Sequence, residues 1–530
     1  MSTVVQSLLA LQHRDGWLSP DELRKLSRER GLPLHRLESV ASFYTHFRRR
    51  PPPKHCVAVC RDLSCALAGP NAREALGEAL RDRPGLEVVE VSCLGRCERA
   101  PAAALDDRPL AATAADVARA LEGEEEAFFS LEAPRAWDAE IYASPDERFG
   151  TLRRALTQPP DALASELTRA GLRGMGGAGF PTGRKWALVA AEPEPTKFVI
   201  CNADESEPGT FKDRQILADL PHLVLEGMLL GGYAIGAERG TLFIRNEYAL
   251  ERVRVEAAIE QARRLGALGA NIFGSGWSFE IDVFVSPGGY ILGEESALLE
   301  CMEDRRGEPR NKPPFPGTSG LFEKPTLINN VETFAHATAI IARGAAWWDA
   351  LAGGSFSGHK WISVSGDVAQ PGVVLVPVGT SLGELLERCG GMRPGTSLGA
   401  IAPGGASSNF LTPEALDTPL DFETLQEAGS MLGSGAVIYL GSHHPLLAAG
   451  ANVARFFRNE SCGKCVPCRV GTEKALEILG DASHLSPDDE GLLRELHETL
   501  RRTSICGLGQ VALAPLLSIL DRFPEAKNST

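Results

Sequence analysis

A chain of 530 residues is too long for one ordinary core and, at roughly 100–200 residues per domain, divides into three to five. Its 54 Lys and Arg against 69 Asp and Glu leave a net charge of −15, which repels a phosphate backbone and argues against nucleic acid as a partner. No stretch reaches the ~18 uninterrupted apolar residues of a membrane span, since even the apolar run Leu223 to Gly236 contains Glu226. The N-terminus lacks the cationic start and cleavage site of a secretory signal, so a soluble, cytoplasmic protein is expected.

The first fifty residues read as helices. Ser19-Pro20-Asp21-Glu22 is a capping box, Gly31 and Pro33 stop that helix, and a second starts near Leu34 with Leu37, Val40, Tyr44 and Phe47 on one face. Arg48 to Pro53 is a basic, proline-rich break. From Cys56 a strand, a loop, a helix near Asn71 to Arg81, a second strand and a second loop make a small α/β module. An acidic connection follows around Glu122 to Ala143. A larger α/β region then holds strand candidates at Lys197 to Cys201, Gly240 to Ile244 and Phe279 to Val285. Lys360 to Gly441 leans to β structure with one helix at Ser381 to Arg388, and the C-terminus is helical.

Twelve cysteines in an acidic chain without a signal are hard to read as disulfides, because a reducing compartment keeps thiols free. Eight fall into two groups. Cys462, Cys465 and Cys468 form C-x2-C-x2-C, joined by Cys506, the four thiolates that a [4Fe–4S] cube requires. Cys60 and Cys65, then Cys93 and Cys97, lie in loops that each follow a strand, so both pairs could close over one [2Fe–2S] rhomb. Structural zinc, which also takes four Cys, is the competing reading for both.

Gly174-Met175-Gly176-Gly177-Ala178-Gly179 satisfies G-x-G-x-x-G, yet a helical pattern precedes it where the dinucleotide fingerprint needs a strand. It reads as a glycine-rich loop of another kind, whose backbone N–H groups can approach a phosphate or a flat ring, with Lys185 nearby. Asn202 to Thr210 packs three carboxylates and an amide at the end of an apolar strand, a rim suited to ribityl or ribose hydroxyls or else a solvated acidic turn. Gly288 to Glu295 and Asn329 to Thr333 have a similar character.

Taken together, GLRGMGGAGFPTGRKW, CNADESEPGTFKDR, GGYILGEESALLE, KPPFPG, LINNVET and ESCGKCVPCRVGT resemble, in order and spacing, the flavin- and NADH-binding subunit of respiratory complex I and its relatives. Residues 1 to about 110 are similar to the thioredoxin-like [2Fe–2S] subunit of the same systems, here fused to it. The resemblance implies a multidomain α/β protein: an N-terminal helical segment (1–50), a thioredoxin-like [2Fe–2S] module (54–125), a linker (126–144), a Rossmann-like FMN and NADH domain (145–348), a ubiquitin-like β-grasp domain (358–442) and a helical-bundle [4Fe–4S] domain (446–530).

It further implies an FMN site of Gly174, Gly176, Gly177, Lys185, Asn202, Asp204, Glu205, Ser206, Gly293, Glu294, Asn329, Asn330 and Thr333. The implied NADH site has Phe180 and Phe315 on the adenine, with Glu207, Glu295 and Lys312 on the rest of the dinucleotide. Hydride transfer belongs to the flavin, so no side chain is assigned acid–base work, with Glu294 the nearest candidate. Met175, Leu188 and Leu292 depart from the residues common in relatives. The fusion and the ending Ser504 to Gln510 look most like the β subunit of a cytoplasmic NAD-dependent formate dehydrogenase, with formate oxidised on a molybdenum- or tungsten-containing partner. A NAD-reducing hydrogenase and complex I are the alternatives.

Overall fold

The structure, a computed structural model, describes residues 3–69, 71–481 and 484–528. Among them are three four-stranded sheets, arranged along the chain and backed by helices. The first holds β1 (His55–Cys60), β2 (Leu86–Val91), β3 (Ala102–Leu105) and β4 (Arg108–Ala111) in the order β2-β1-β3-β4. β1 and β2 run parallel with Cys60 opposite Val91, so the loops that follow them leave from one edge.

The second sheet, β5 (Phe198–Ala203), β6 (Arg239–Arg245), β7 (Glu280–Ser286) and β8 (Thr326–Asn330), is wholly parallel in the order β7-β6-β5-β8. The chain therefore builds outward from β5 in one direction and then returns to its other side. That reversal opens a crevice beyond the carboxyl ends of β5 and β8, where open parallel sheets take ligands. The third sheet, β9 (His359–Gly366), β10 (Gly372–Pro377), β11 (Leu398–Ala402) and β12 (Ala436–Gly441), is mixed, with β9 and β12 parallel at its centre. Its helix, Leu382–Arg388, starts in a capping box at Ser381. The C-terminal helices Leu446–Asn459, Val466–Leu479, Pro487–Thr503 and Ala514–Arg522 pack on one another.

Two expectations change. The helix begun at Leu34 ends at Phe43, and Tyr44 and Phe47 are buried from the turn that follows, closed by the Phe47 N–H on the Tyr44 carbonyl at 3.2 Å. The Tyr44 hydroxyl donates to the Arg305 carbonyl at 2.5 Å, so the N-terminal helices dock on the second-sheet domain instead of standing apart. One apolar core runs from Leu8 and Leu37 through Leu292 and Leu298 to Phe457 and Leu516. The stretch 126–144 is also more than an exposed connection: Arg108 and Arg99 lie over the rings of Phe128 and Phe129, and the Trp137 indole N–H donates to Asp219 at 2.7 Å.

Candidate functional site

A cavity of about 390 Å³ occupies the crevice beyond β5 and β8, within the range of small-molecule pockets. Gly176 and Gly177 form one wall, Asn202, Asp204, Glu205, Ser206 and Glu207 continue from β5, and Asn330 ends β8. Gly293 and Glu294 close it from the turn after β7, and Cys506 lines its far side. The glycine-rich loop sits between the helices Asp161–Arg169 and Thr182–Ala191, as its non-strand context predicts. A Cβ on Gly176 would lie 3.0 Å from the Asn330 Cβ, so a side chain there would displace Asn330 from the cavity wall.

Four expected flavin residues lie behind this lining and brace it. The Thr333 hydroxyl accepts the Met175 N–H at 2.9 Å, and the Gly174 N–H donates to the Phe180 carbonyl at 2.8 Å. Lys185 Nζ donates to the Ile328 carbonyl at 3.1 Å, and burial lowers its pKa. Asn329 is buried with its Oδ1 lacking a hydrogen-bond partner, as is Asp204 Oδ1. Burial raises the carboxyls of Asp204 and Glu205 to about 7 and pushes Glu207 up as well. Buried acceptors without donors, beside a loop that admits close backbone approach, fit a ligand that brings hydroxyls and ring N–H groups, as a flavin nucleotide does.

At the mouth, Lys312 Nζ bridges Glu294 at 2.8 Å and Glu295 at 2.7 Å. Glu294 is itself fixed, because it caps the helix Glu295–Met302 by accepting the N–H groups of Ser296 and Ala297. Phe180 and Phe315, outside the cavity lining, are 39% and 60% exposed, and the Arg184 guanidinium lies over the Phe180 ring at 5.9 Å.

The two cysteine groups flank this cavity. Cys60 is the last residue of β1 and Cys93 follows the parallel strand β2, while Cys65 lies in the helix Leu63–Ala68 and not in a loop, Cys97 opens a short 3₁₀ turn, and all four are buried. Cys93 and Cys97 Sγ are 3.5 Å apart; the Gly95 N–H donates to Cys93 Sγ and the Gly209 N–H to Cys97 Sγ, each at 3.4 Å. Hydrogen bonds from Cys60 and Cys97 hold the Cys93 thiol well below its usual range. In the other group Cys465 stands at the N-cap position of the helix Val466–Leu479, and Cys506 at that of Gly507–Val511. A Cβ on Gly509 would collide with Ser504 Oγ and lie 3.0 Å from Cys468 Cβ, so glycine lets the Cys506 helix reach Cys468. Burial pushes Cys468 up to about 11 and Cys506 up to about 12, a cost that cationic iron would remove.

Several residues that join these parts are absent from the sequence expectations. Arg245, at the end of β6, donates to the carbonyls of Cys93 and Glu205 at 2.6 Å each, tying a cysteine loop to the cavity rim. Glu460, two residues before Cys462, accepts the Tyr290 N–H at 2.8 Å and the Ser92 hydroxyl. Tyr290 and Ser206 line both the main cavity and a second one of about 360 Å³ beside Cys93. Beneath the glycine loop, Glu332 pairs with Lys212 at 2.8 Å and with Lys360 at 2.7 Å, and Lys360 also donates to the Met175 carbonyl at 3.4 Å. Lys212 and Glu332 fall inside quoted motifs, whereas Lys360 and Arg245 lie in segments without one.

The sequence matches four families: thioredoxin-like [2Fe–2S] ferredoxin over residues 1–123, Nuo51 FMN-binding domain over 167–339, SLBB domain over 362–407, and NADH-ubiquinone oxidoreductase-F iron-sulfur binding region over 448–529. These matches decide for clusters over the structural zinc that cysteine spacing left open. The chain is 42% identical over 378 residues to NADP-reducing hydrogenase subunit HndC of Solidesulfovibrio fructosivorans, covering 70% of this chain and 76% of that protein. It is equally 42% identical to the NADH-quinone oxidoreductase F subunit of Escherichia coli over 379 residues, 70% of this chain and 85% of that one. A crystal structure of NAD+-reducing [NiFe]-hydrogenase in the H2-reduced state contains a chain that superposes with a TM-score of 0.88 at 34% identity, covering 100% of this chain and 93% of its own. The chain belongs to the family of the NADH-quinone oxidoreductase F subunit, with a thioredoxin-like domain at its N-terminus and with FMN, a [4Fe–4S] cluster and a [2Fe–2S] cluster as its cofactors.

Proposed function

We propose that the chain is a diaphorase subunit, passing electrons between NAD(H) at the flavin cavity and the iron–sulfur clusters of a partner. The observation that carries this reading is the shared wall: Cys506 lines the same cavity as the glycine loop and the Asn202 to Glu207 rim. When bound, FMN supplies hydride exchange with a nicotinamide and single-electron exchange with clusters. Gly176, Gly177, Asn202, Asp204, Glu205, Ser206, Gly293, Glu294 and Asn330 would line it, with Gly174, Lys185, Asn329 and Thr333 behind them as the brace, and the unpaired Asp204 oxygen would take one of its donors. Phe180 and Phe315 would take the adenine, and Glu207, Glu295 and Lys312 the remainder of the dinucleotide. The buried Glu207 carboxylate disfavours an added 2′-phosphate, which supports NAD over NADP. Cys60, Cys65, Cys93 and Cys97 would ligate the [2Fe–2S] cluster, and Cys462, Cys465, Cys468 and Cys506 the [4Fe–4S] cluster. Purified protein loaded with FMN and iron is expected to lose visible absorbance on NADH addition and to reduce an artificial one-electron acceptor. Failure of both would refute the reading.

For the partner, the Ser504 to Gln510 ending supports a molybdenum or tungsten subunit that oxidises formate; the fusion is spanned by a hydrogenase chain as well and does not discriminate. A hydrogenase partner is the second reading, favoured by the whole-chain likeness to the NAD+-reducing [NiFe]-hydrogenase. The complex purified from its native cell should reduce NAD+ with formate and not with H2; the reverse result would establish the hydrogenase reading. The cytoplasm is proposed as the compartment, because none of the twelve cysteines is joined in a disulfide, as suits a reducing milieu. No helix among the described residues is long and apolar enough to cross a membrane.

A further inference from the structure

We propose that Asp367, His443 and His444, in the third-sheet domain, form a binding site for a divalent transition-metal ion of the zinc, nickel or copper class, separate from both cysteine groups. Strands β9 and β12 run parallel with Gly366 opposite Tyr439, so they end at the same edge of the sheet. β9 runs directly into Asp367, and β12 runs into Ser442, His443 and His444. One ligand atom from each of the three side chains lies within 4.8 Å of the other two.

The site is built from fixed parts. Asp367 is buried, and its own N–H donates to the Tyr439 carbonyl at 2.8 Å. Its Oδ2 accepts the Gly441 N–H at 2.9 Å, which fixes the orientation of the carboxylate. His444 Nε2 lies 2.7 Å from the same oxygen. The His443 ring lies over Gly441, its Cε1 and Nδ1 2.6 Å from where a Cβ would stand, so any side chain at 441 would expel it. That places the His443 ring 4.0 Å from the His444 ring, centroid to centroid, at an interplanar angle of 40°.

A hydrogen bond between His444 and Asp367 accounts for one imidazole. It gives no role to the second, held against the first by a glycine that leaves room for it. Two imidazoles and one carboxylate with further positions open make a set that zinc uses at three-protein-ligand sites, and imidazole equally suits nickel and copper. His443 is exposed and His444 partly so, which leaves an entry path from solvent and room for water to complete the coordination.

The site also touches the [2Fe–2S] module. Ser365, two residues before Asp367, hydrogen-bonds through its Oγ to Ser64 Oγ at 2.9 Å, next to Cys65. Asp367 lines a small cavity together with Cys97. Asp367 therefore packs beside the segment that supports two of the expected cluster ligands.

The test uses the full chain with both clusters and FMN loaded and oxidised, so that the eight cluster cysteines are occupied and the clusters are silent in electron paramagnetic resonance. Zn²⁺ titration by calorimetry is expected to show one site per chain, with His443→Gln and His444→Gln each weakening it by ~10-fold or more and the double variant abolishing it. Cu²⁺ added at one equivalent should give a resonance split by two nitrogen nuclei in the wild type and not in the double variant. The NADH-dependent reduction of an artificial acceptor should be unchanged in the double variant, showing that it is folded. Stoichiometric zinc uptake unaffected by His443→Gln, no zinc uptake by the wild type, or a copper signal without two nitrogens would overturn the proposal.

Discussion

The carboxyl of Glu226 stands in the middle of the most apolar helix of the second domain, Pro221–Ile235, fully buried. In the sequence it breaks a long apolar run; in the fold it accepts the Leu152 N–H at 2.7 Å and the Tyr142 hydroxyl. Burial raises its pKa from 4.5 to about 7. The folded chain therefore binds an extra proton between those values, so this contribution to stability is fully present below pH 4.5 and is lost as the pH rises through 7. Glu226→Gln, which cannot ionise, should gain on the wild type by roughly 2–3 kcal/mol between pH 5 and pH 8, read from denaturant unfolding at each pH. A difference that does not vary with pH would show that Glu226 is not protonated in the fold. Single residues of this kind are half legible: the sequence shows a charge in an apolar run, and only the packing shows that Tyr142 and Leu152 answer it.

At the level of strands and helices, local chemistry carries most of the information. The Ser19 cap, which accepts the Glu22 N–H, and the stop at Gly31 appear where the sequence puts them, but the capping box is left half made because the Glu22 carboxylate turns to Arg14; Gly31 takes a φ of +64° that glycine permits. Cysteine spacing is legible for the same reason, since a short run that holds three ligands leaves little freedom in how they are used. Long-range closure is not. Nothing around Gly509 announces that its helix must come within 3.0 Å of Cys468 as measured from an added Cβ. Gly509→Ala should drive the Cys506 helix away from Cys468 and lower [4Fe–4S] content, leaving the [2Fe–2S] content as it was. Iron analysis with low-temperature spectra of the dithionite-reduced protein would check this, and unchanged [4Fe–4S] content would refute it. By contrast, the G-x-G-x-x-G run shows that a short motif misleads when its flanking elements are ignored, because it bridges two helices here.

Across the whole molecule, the domains are joined by charges that the interior has closed over. Lys360 comes from β9 of the third sheet, Glu332 from the helix after β8 and Lys212 from the helix after β5, and all three are buried. Burial brings Lys360 down to about 8, and the two lysines hold Glu332 well below the carboxylate range. Lys360→Met would leave Glu332 with a single cation and release the Met175 carbonyl; a loss on the order of 3–5 kcal/mol is expected in denaturant unfolding, with weaker FMN retention on dialysis. Full stability together with wild-type flavin content would remove the case for Lys360 as the brace of the glycine loop. Such a residue is illegible in the sequence because its meaning depends on two partners at positions 212 and 332, brought together only by the packing of one sheet domain on another.

The thioredoxin-like module is held to the flavin domain by the ion pairs Arg96–Glu251 at 3.0 Å and Arg214–Glu98 at 2.6 Å. Because both sides belong to one polypeptide, these pairs have no work to do against dilution: encounter is intramolecular at every protein concentration. Their energy is free to fix orientation, and the stoichiometry of the two cluster-bearing ends is locked at one to one by synthesis itself.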